Sequence, residues 1–319
     1  MDHAIWAEGL VKRYGENTAL AGVDLAVPTG SVLGLLGPNG AGKTTVVRIL
    51  ATLLEADQGQ ARVGGYDVRE QGHQARQLIG LTGQYAAVDE NLTGTENLLL
   101  LGRLLGLSRA AAKVRARELL EQFGLTDAAS RAAKTFSGGM RRRLDLAASL
   151  VGRPPMLFLD EPTTGLDPRA RAELWTLIRS LVSEGVTVLL TTQYLDEADE
   201  LADTITVIDH GRVIAAGTPE ELKAKTGAQT LAVRPLHERD KSAVVALLAE
   251  LAGEEPDTSG RLVSVSVLDP ALMPQAVRRL EEAEITVTEL ALRNSSLNEV
   301  FMALTGRPAE PDDEGSGEP

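Results

Sequence analysis

The sequence predicts an α/β fold: a mixed, largely parallel sheet with a helical subdomain, followed by a small C-terminal α+β accessory domain. Three observations support this prediction. A glycine-rich loop, Gly37–Thr45, lies between a short apolar run and the start of a helix; strands and helices alternate on both sides of it; and the composition changes after about Lys225. With 319 residues, the chain is longer than one typical domain.

Short strands are predicted before and after the glycine-rich loop. Most have apolar residues at alternating positions, whereas Ser31–Leu36 is a continuous apolar run that is typical of a buried strand. A helix is expected to begin at Thr45 and to end near Leu54. The predicted strands of this half are His3–Lys12, Ala21–Val27, Ser31–Leu36, two within Asp57–Tyr66, and Ile79–Gly83.

The pattern is helical from Leu92 to about Gly152, which predicts a helical subdomain over roughly residues 86–152. Thr95 and Ser108 are expected to cap its first two helices, because their hydroxyls accept hydrogen bonds from backbone N–H groups. Gly124 is expected to end the second helix.

Strands and helices alternate again after this subdomain, which predicts a largely parallel sheet covered on both faces. The predicted elements are strand Pro155–Leu159, helix Arg169–Ser183, strand Val186–Thr192, and a hairpin of Ile205–Ile208 with Val213–Ala215.

The first domain is therefore predicted over residues 3–225, and an accessory domain of three strand–helix units over residues 229–306. A ferredoxin-like arrangement is one fold with such repeated pairing. The last helix, Leu297–Leu304, is interpreted equally well as a core helix or as part of an assembly surface. The segment 307–319 is rich in Pro, Glu, Asp and Gly, and is expected to be a disordered acidic tail.

Composition excludes several classes of protein. Acidic residues outnumber basic ones by 45 to 32, for a formal net charge of −13, which argues against broad nucleic-acid binding. The sequence has no continuous apolar run of about 20 residues, as a membrane helix requires, and no signal peptide is expected from its N-terminal residues. The absence of cysteine is consistent with a reducing cytosol.

The glycine-rich loop matches the phosphate-binding pattern G-x-x-x-x-G-K-[ST] in the required context of strand, turn and helix. A glycine-rich turn with a chance Lys-Thr is the alternative. Backbone N–H groups and the positive end of the helix dipole converge at such a turn, so it binds anions. Lys43 is expected to reach the β- and γ-phosphates of a nucleotide, and the Thr44 hydroxyl to bind Mg²⁺. The expected binding residues are Gly37, Pro38, Asn39, Gly40, Ala41, Gly42, Lys43, Thr44 and Thr45.

Asp160 and Glu161 follow a predicted apolar strand, and Gln84 follows another. Buried parallel strands deliver such residues to the edge of the sheet that carries the phosphate loop. Asp160 and the Gln84 amide are therefore candidate Mg²⁺ ligands, and Glu161 is a candidate for orienting or deprotonating an attacking water. A strand that simply ends at the surface is the alternative.

A second candidate anion site, Ser137-Gly138-Gly139-Met140, precedes a basic helix. Since Gly37–Thr45 already accounts for the phosphates of one nucleotide, this second site suggests that two chains share each nucleotide.

In order and spacing, these motifs resemble the nucleotide-binding subunit of an ABC transporter across residues 3 to about 225. The resemblance implies a P-loop NTPase fold of the ABC ATPase type that binds ATP and Mg²⁺. It rests on Gly37–Thr45, Gln84, Ser137–Met140, Asp160-Glu161, Gly165–Asp167 and Thr192–Ala198.

The resemblance also implies how the subunits assemble. A homodimer would sandwich two ATP molecules, with Ser137, Gly138 and Gly139 of one subunit closing on the ATP held by the other. Tyr14 would stack on the adenine, and Asp167 would communicate across the dimer. A separate transmembrane permease would dock beside Gln84 and the helical subdomain, which places the chain at the cytoplasmic face of the plasma membrane as a peripheral protein.

Two positions depart from the common pattern of that family. Met140 stands where most members have glutamine, and Gln193 stands at the switch position where most have histidine. A glutamine amide donates a hydrogen bond to the γ-phosphate but does not titrate, so Glu161 must carry any base chemistry. The resemblance thus implies that Lys43, Gln84, Glu161 and Gln193 are the catalytic residues.

The segments Leu189–Asp199, Val207–Val213 and Ser296–Gly306 resemble the daunorubicin/doxorubicin-resistance (DrrA-type) branch of the family. This implies an ATP-hydrolysing subunit of an exporter for a hydrophobic drug such as an anthracycline. Export of a lipid-like metabolite, a soluble ABC ATPase that does not serve transport, and a regulatory nucleotide-binding module with little turnover are the alternatives.

Overall fold

The computed structural model describes residues 3–83, 88–225, 229–258, 260–267, 269, 271–294 and 297–305. Gln84 lies outside the described residues, so its predicted roles are not examined by the structure. The chain divides into two compact units, with the division between Pro219 and Glu220.

The first unit contains ten strands and seven helices of α type within its described residues. In chain order they are β1 (His3–Tyr14), β2 (Asn17–Pro28), β3 (Val32–Leu36), α1 (Lys43–Leu50), β4 (Gln58–Val63), β5 (Tyr66–Asp67), α2 (Gly72–Gln77), β6 (Ile79–Thr82), α3 (Gly94–Leu104), α4 (Arg109–Gln122), α5 (Gly138–Ser149), β7 (Met156–Asp160), α6 (Pro168–Ser183), β8 (Thr187–Thr192), α7 (Leu195–Leu201), β9 (Thr204–Asp209) and β10 (Arg212–Gly217). Helix α8 (Pro219–Lys225) lies at the division.

Six strands form the sheet that positions the site, in the order β10-β9-β3-β8-β7-β6. Five of them are parallel, and β10 is antiparallel to β9, as the hairpin prediction requires. The segments after β3, β7 and β8 therefore leave the same edge of the sheet, where ligands bind in open α/β sheets. This confirms the predicted mixed, largely parallel sheet.

A second, antiparallel sheet has the order β2-β1-β4-β5. A continuous apolar core lies between this sheet, α1 and the larger sheet, and Leu20, Ile49 and Phe158 are fully buried in it. Because a close-packed core tolerates little displacement, this packing holds α1 and the end of β7 in place beneath the site.

One predicted helix cap in the helical subdomain is wrong. Thr93, and not Thr95, caps α3: its hydroxyl accepts a hydrogen bond from the Glu96 N–H at 3.1 Å, and the Glu96 carboxylate accepts one from the Thr93 N–H at 2.8 Å. This reciprocal capping box satisfies two backbone donors, which Thr95 alone does not do. Thr95 instead donates its hydroxyl to the Ala129 carbonyl. Ser108 caps α4, as predicted.

The second unit contains β11 (Gln229–Pro235), α9 (Lys241–Ala252), β12 (Val263–Val267), α10 (Leu272–Glu282), β13 (Val287–Asn294) and α11 (Leu297–Thr305). Its antiparallel sheet has the order β12-β11-β13, and Asp257 forms an isolated antiparallel bridge to Ser264 in β12. The order β13-β11-β12-Asp257 is that of a ferredoxin-like unit whose second strand is reduced to one bridge.

Leu297, Val300 and Phe301 of α11 are buried, which favours the core-helix interpretation for that face. The domain boundary near residue 228 and the disordered tail stay predictions, because both fall on residues outside the described ranges. Across the described residues, every helix is too short or too polar to cross a membrane.

Candidate nucleotide site

The phosphate loop makes a close turn that only glycine permits at two positions. A side chain at Gly37 would meet the Ile208 carbonyl oxygen at 2.2 Å, and Gly42 has a φ of 111°, in the left-handed region. Gly42 is also the N-cap of α1, which begins at Lys43, two residues earlier than predicted. The N–H groups of the first helical turn therefore face the loop, as an anion site requires.

A cavity of about 260 Å³ opens beside this turn. It unites the loop with the beginning of β2, Glu161 and His210. The lining residues are Asn17, Thr18, Ala19, Asn39, Gly40, Gly42, Lys43, Thr44, Thr45, Glu161 and His210.

Lys43 extends back across the loop, and its side chain is 4% exposed. The ammonium donates hydrogen bonds to the Gly37 carbonyl at 2.8 Å and to the Pro38 carbonyl at 3.2 Å, and lies 3.2 Å from Glu161 Oε1. A phosphate bound in the loop would therefore compete with the Glu161 carboxylate for this cation.

Asp160 ends β7 with its carboxylate buried beside the loop. Thr191 of the adjacent strand β8, paired with Asp160 in register, donates its hydroxyl to Asp160 Oδ1 at 2.6 Å. The Thr44 hydroxyl donates to the same oxygen at 3.1 Å. Neighbouring hydroxyl and carboxylate oxygens are ligands that Mg²⁺ prefers, and Mg²⁺ needs few protein ligands when phosphates supply the others. These residues therefore fit a Mg²⁺ site.

Glu161 has a strained backbone, with a φ of 49°. Its N–H donates to the Thr191 hydroxyl at 3.0 Å and to the Thr191 carbonyl at 3.2 Å. A non-glycine residue keeps a left-handed conformation only where its surroundings enforce it, and such residues cluster at functional sites.

Gln193 follows the end of β8, next to the phosphate loop, since the Gly37 N–H donates to the Thr192 carbonyl at 3.3 Å. Gln193 Oε1 is buried and has no hydrogen-bond partner among the described residues. Because it follows β8, Gln193 lies at the edge of the sheet that carries the phosphate loop.

The Ser137 loop lies beside a second cavity, of about 390 Å³, which Gly138 lines together with Arg142 and Glu161. Ser137 caps α5 by accepting a hydrogen bond from the Met140 N–H at 3.2 Å, and both Ser137 and Gly138 are exposed. Within the described lining of the phosphate-loop cavity, no residue comes from 137–139. The structure therefore brings Lys43, Thr44, Asp160 and Glu161 together at the phosphate loop, and it places Gly138 on a neighbouring cavity that also reaches Glu161.

Tyr14 and Asp167, two other residues predicted to act in the site or the dimer, are both exposed. Tyr14 ends β1 with 48% of its surface exposed, and it pairs in register with Asn17, which lines the cavity. Asp167 is the N-cap of α6, where its carboxylate accepts a hydrogen bond from the Ala170 N–H at 2.8 Å.

Three residues of this region were not anticipated from the sequence. Thr191 holds both Asp160 and the Glu161 backbone, Arg142 contacts carbonyls around β7, and Glu197 is a fully buried acid on α7. The two threonines that end the apolar strand β8 indicate polar side chains near the site. The contact of Thr191 with Asp160, however, depends on the register between β7 and β8.

Glu197 makes stability depend on pH. Trp175 of α6 donates its indole N–H to Glu197 Oε1 at 3.1 Å. Burial raises the pKa of Glu197 above its ordinary value of 4.5, against opposing hydrogen bonds. A raised pKa in the folded state means that the stability contributed by the protonated acid is fully present below about pH 4.5 and is lost as pH rises toward the folded pKa.

Glu197→Gln keeps the shape and the acceptor for Trp175 but cannot ionise. We predict that the variant becomes increasingly stable relative to the wild type as pH is raised from about 5 to about 8. Urea unfolding across this range measures the difference. Glu121→Gln, at an exposed position on α4, is the control and should show no such trend. A constant difference between Glu197→Gln and the wild type would contradict the prediction.

The chain is similar in sequence to known ATP-binding proteins. The family described as ABC transporter matches residues 20–164. The chain is 54% identical to the daunorubicin/doxorubicin resistance ATP-binding protein DrrA of Streptomyces peucetius, over 96% of this chain and 94% of that one. It is 48% identical to the doxorubicin resistance ATP-binding protein DrrA of Mycobacterium tuberculosis, over 97% and 96%. It is 41% identical to the Nod factor export ATP-binding protein I of Ralstonia nicotianae, over 94% and 93%.

Solved structures agree in fold. An ATP-binding cassette of an ABC transporter in its ADP conformation has a TM-score of 0.62 and 27% identity, over 69% of this chain and 93% of that one. The protein cbiO1 of Clostridium perfringens, part of the ABC transporter complex cbiONQ, has a TM-score of 0.64 and 26% identity, over 71% and 92%. The predicted family and fold class are confirmed. The chain belongs to the ATP-binding, ATP-hydrolysing subunits of ABC transporters, in the branch of the daunorubicin and doxorubicin resistance proteins.

Proposed function

We propose that the chain energises the export of a hydrophobic drug of the anthracycline class through a separate permease, as a homodimer around two MgATP. The observation that carries the ATPase part is that Lys43, Thr44 and Glu161 line one cavity, with Asp160 hydrogen-bonded to Thr44 beside it. The drug class is supported by the names of the relatives, which extend over nearly the whole chain.

The phosphates are held by Lys43 and by the backbone N–H groups of residues 37–45. Bound Mg²⁺ would neutralise charge that develops on the phosphates, and Thr44, Asp160 and Gln84 are its proposed ligands. Thr191 supports this site by fixing the orientation of the Asp160 carboxylate.

Glu161 orients the attacking water and accepts its proton, and the strained backbone holds the carboxylate toward the cavity. Gln193 donates its amide to the γ-phosphate without exchanging a proton. Tyr14 stacks on the adenine, which its exposed position beside Asn17 permits.

The dimer is supported by the position of the Ser137 loop outside the phosphate-loop cavity. Ser137, Gly138 and Gly139 are proposed to complete the site of the partner subunit, because they stand at the exposed N-terminus of α5 and are absent from the described lining of their own cavity. Asp167 would reach the same interface. Bound ATP then links the two faces, so association depends on the nucleotide.

The permease is proposed to be a separate membrane protein, with the chain bound at the cytoplasmic face of the plasma membrane. Two alternatives remain distinguishable. A soluble ABC ATPase would co-purify with ribosomes or DNA, and not with a membrane protein. A regulatory module, which the glutamine at position 193 favours, would hydrolyse ATP no faster than its Glu161→Gln variant when the permease is present.

Transport by reconstituted vesicles tests the proposal. The chain and the membrane protein with which it co-purifies are placed in inside-out vesicles, and uptake of daunorubicin is followed by its fluorescence. Uptake should require ATP and Mg²⁺ and should stop when Lys43→Ala replaces the wild type. ATP-dependent uptake of a labelled lipid without uptake of daunorubicin would show that the exported substrate is a lipid-like metabolite and not a drug.

A further inference from the structure

Arg142 connects parts of the site that are distant in the sequence. It lies on α5, and its side chain is 14% exposed. The guanidinium donates hydrogen bonds to four backbone carbonyls that surround the end of β7. The acceptors are Pro162 at 2.7 Å from Nε, Gly83 at 2.8 Å from Nη1, and Glu161 at 3.2 Å and Asp160 at 3.3 Å from Nη2.

These bonds complete the support of Glu161. Thr191 accepts hydrogen bonds from the Glu161 N–H on one side, and Arg142 donates to the Glu161 carbonyl on the other. Both peptide groups of a residue at a φ of 49° are thus held. Since a strained backbone persists only where its surroundings determine it, Arg142 helps to maintain the conformation that aims the Glu161 carboxylate.

The same side chain is fixed to the helix that presents the Ser137 loop. Ser137 caps α5, and Arg142 lies on that helix shortly after its first turn. Asp145, buried on the next turn, lies 3.6 Å from Arg142 Nη1 and balances its charge. Burial lowers the pKa of Arg142, but a guanidinium remains charged in proteins, so its hydrogen bonds are charge-assisted and strong.

We propose that Arg142 is a positioning residue for ATP hydrolysis, which sets the backbone of Glu161 and links it to the helix that carries the Ser137 loop. The inference rests on the proposed function, in which Glu161 orients water and the Ser137 loop closes on the partner's nucleotide. Closure of that loop then acts through α5 and Arg142 on the Glu161 of the same chain. ATP binding is spared, because Arg142 is not among the described residues that line the phosphate-loop cavity.

Arg142→Lys tests this role, since lysine keeps the charge but cannot reach four carbonyls at once. We expect kcat for ATP hydrolysis to fall at least about tenfold, because several charge-assisted hydrogen bonds are lost. The Kd for ATP should stay within about threefold of the wild-type value. Arg142→Gln, which retains one amide donor, is measured in parallel and should show the same separation of kcat from Kd. Arg143→Lys on the same helix is the control, because Arg143 contacts the Phe123 carbonyl and Glu173.

A double variant separates positioning from general damage. In the Glu161→Gln background, Arg142→Lys should lower the remaining single-turnover rate by less than about threefold, because the residue that it positions is already disabled. An unchanged kcat in both Arg142 variants would overturn the inference, as would equal losses in the wild-type and Glu161→Gln backgrounds. The proposed function fails separately, if Glu161→Gln itself hydrolyses ATP as fast as the wild type.

Discussion

Lys43→Ala is expected to abolish ATP binding at nucleotide concentrations that saturate the wild type. The ammonium is buried beneath the loop, and among the described residues that line the cavity Lys43 is the one lysine or arginine, so it is proposed to contact the β- and γ-phosphates. At about 1.5–3 kcal/mol for each hydrogen bond to a charged group, the loss of two such bonds weakens binding by about two to four orders of magnitude. Titration with a fluorescent ATP analogue measures the Kd.

Folding must be checked in the same variant, because Lys43 also balances the charge of Glu161 at 3.2 Å. Lys43→Met keeps most of the apolar stem and should lose ATP in the same way, while the unfolding temperature shows whether the fold is retained. Lys113→Ala, at an exposed position on α4, is the matched control and should bind ATP like the wild type. Binding of ATP by a folded Lys43→Met within about threefold of the wild type would refute the role given to Lys43.

The phosphate loop and the order of the elements were predictable because their causes are local. The glycine pattern, the apolar run before it and the helix after it lie within about 20 residues, and the alternation of strands and helices restricts the sheet to few topologies. Ser108 is a predictable cap for the same reason, whereas Thr93 is distinguished from Thr95 only by its reciprocal partner Glu96, three residues later.

The support of the proposed catalytic residues could not be predicted because it depends on strand register and on tertiary contacts. Thr191 contacts Asp160 only because the register between β7 and β8 places the two residues opposite each other. Arg142 belongs to a run of three arginines, and the sequence of the chain does not distinguish it from Arg141 or Arg143. Only the fold turns one of the three toward the carbonyls of β7.

Glu161→Gln is expected to slow hydrolysis strongly, without abolishing it, while leaving a stable dimer with ATP bound. A positioned general base contributes about 10²–10⁴-fold to a rate, and Gln193 cannot replace it because an amide does not accept a proton at neutral pH. Binding should be retained or tightened. The substitution removes a negative charge from the cavity. It also removes the ion pair that Lys43 forms with Glu161 at 3.2 Å, so the carboxylate no longer competes with phosphate for the ammonium.

The dimer provides a readout that hydrolysis alone does not. With ATP and Mg²⁺, light scattering should report a dimer for Glu161→Gln and a return to monomer when ATP is replaced by ADP, because in the proposed dimer the γ-phosphate bridges to the partner's Ser137 loop. Ser137→Ala combined with Glu161→Gln should weaken this dimer without changing the Kd for ATP in the monomer. Glu121→Gln should behave like the wild type. Monomers of Glu161→Gln at saturating ATP would contradict the shared site, and hydrolysis at the wild-type rate would remove Glu161 from the chemistry.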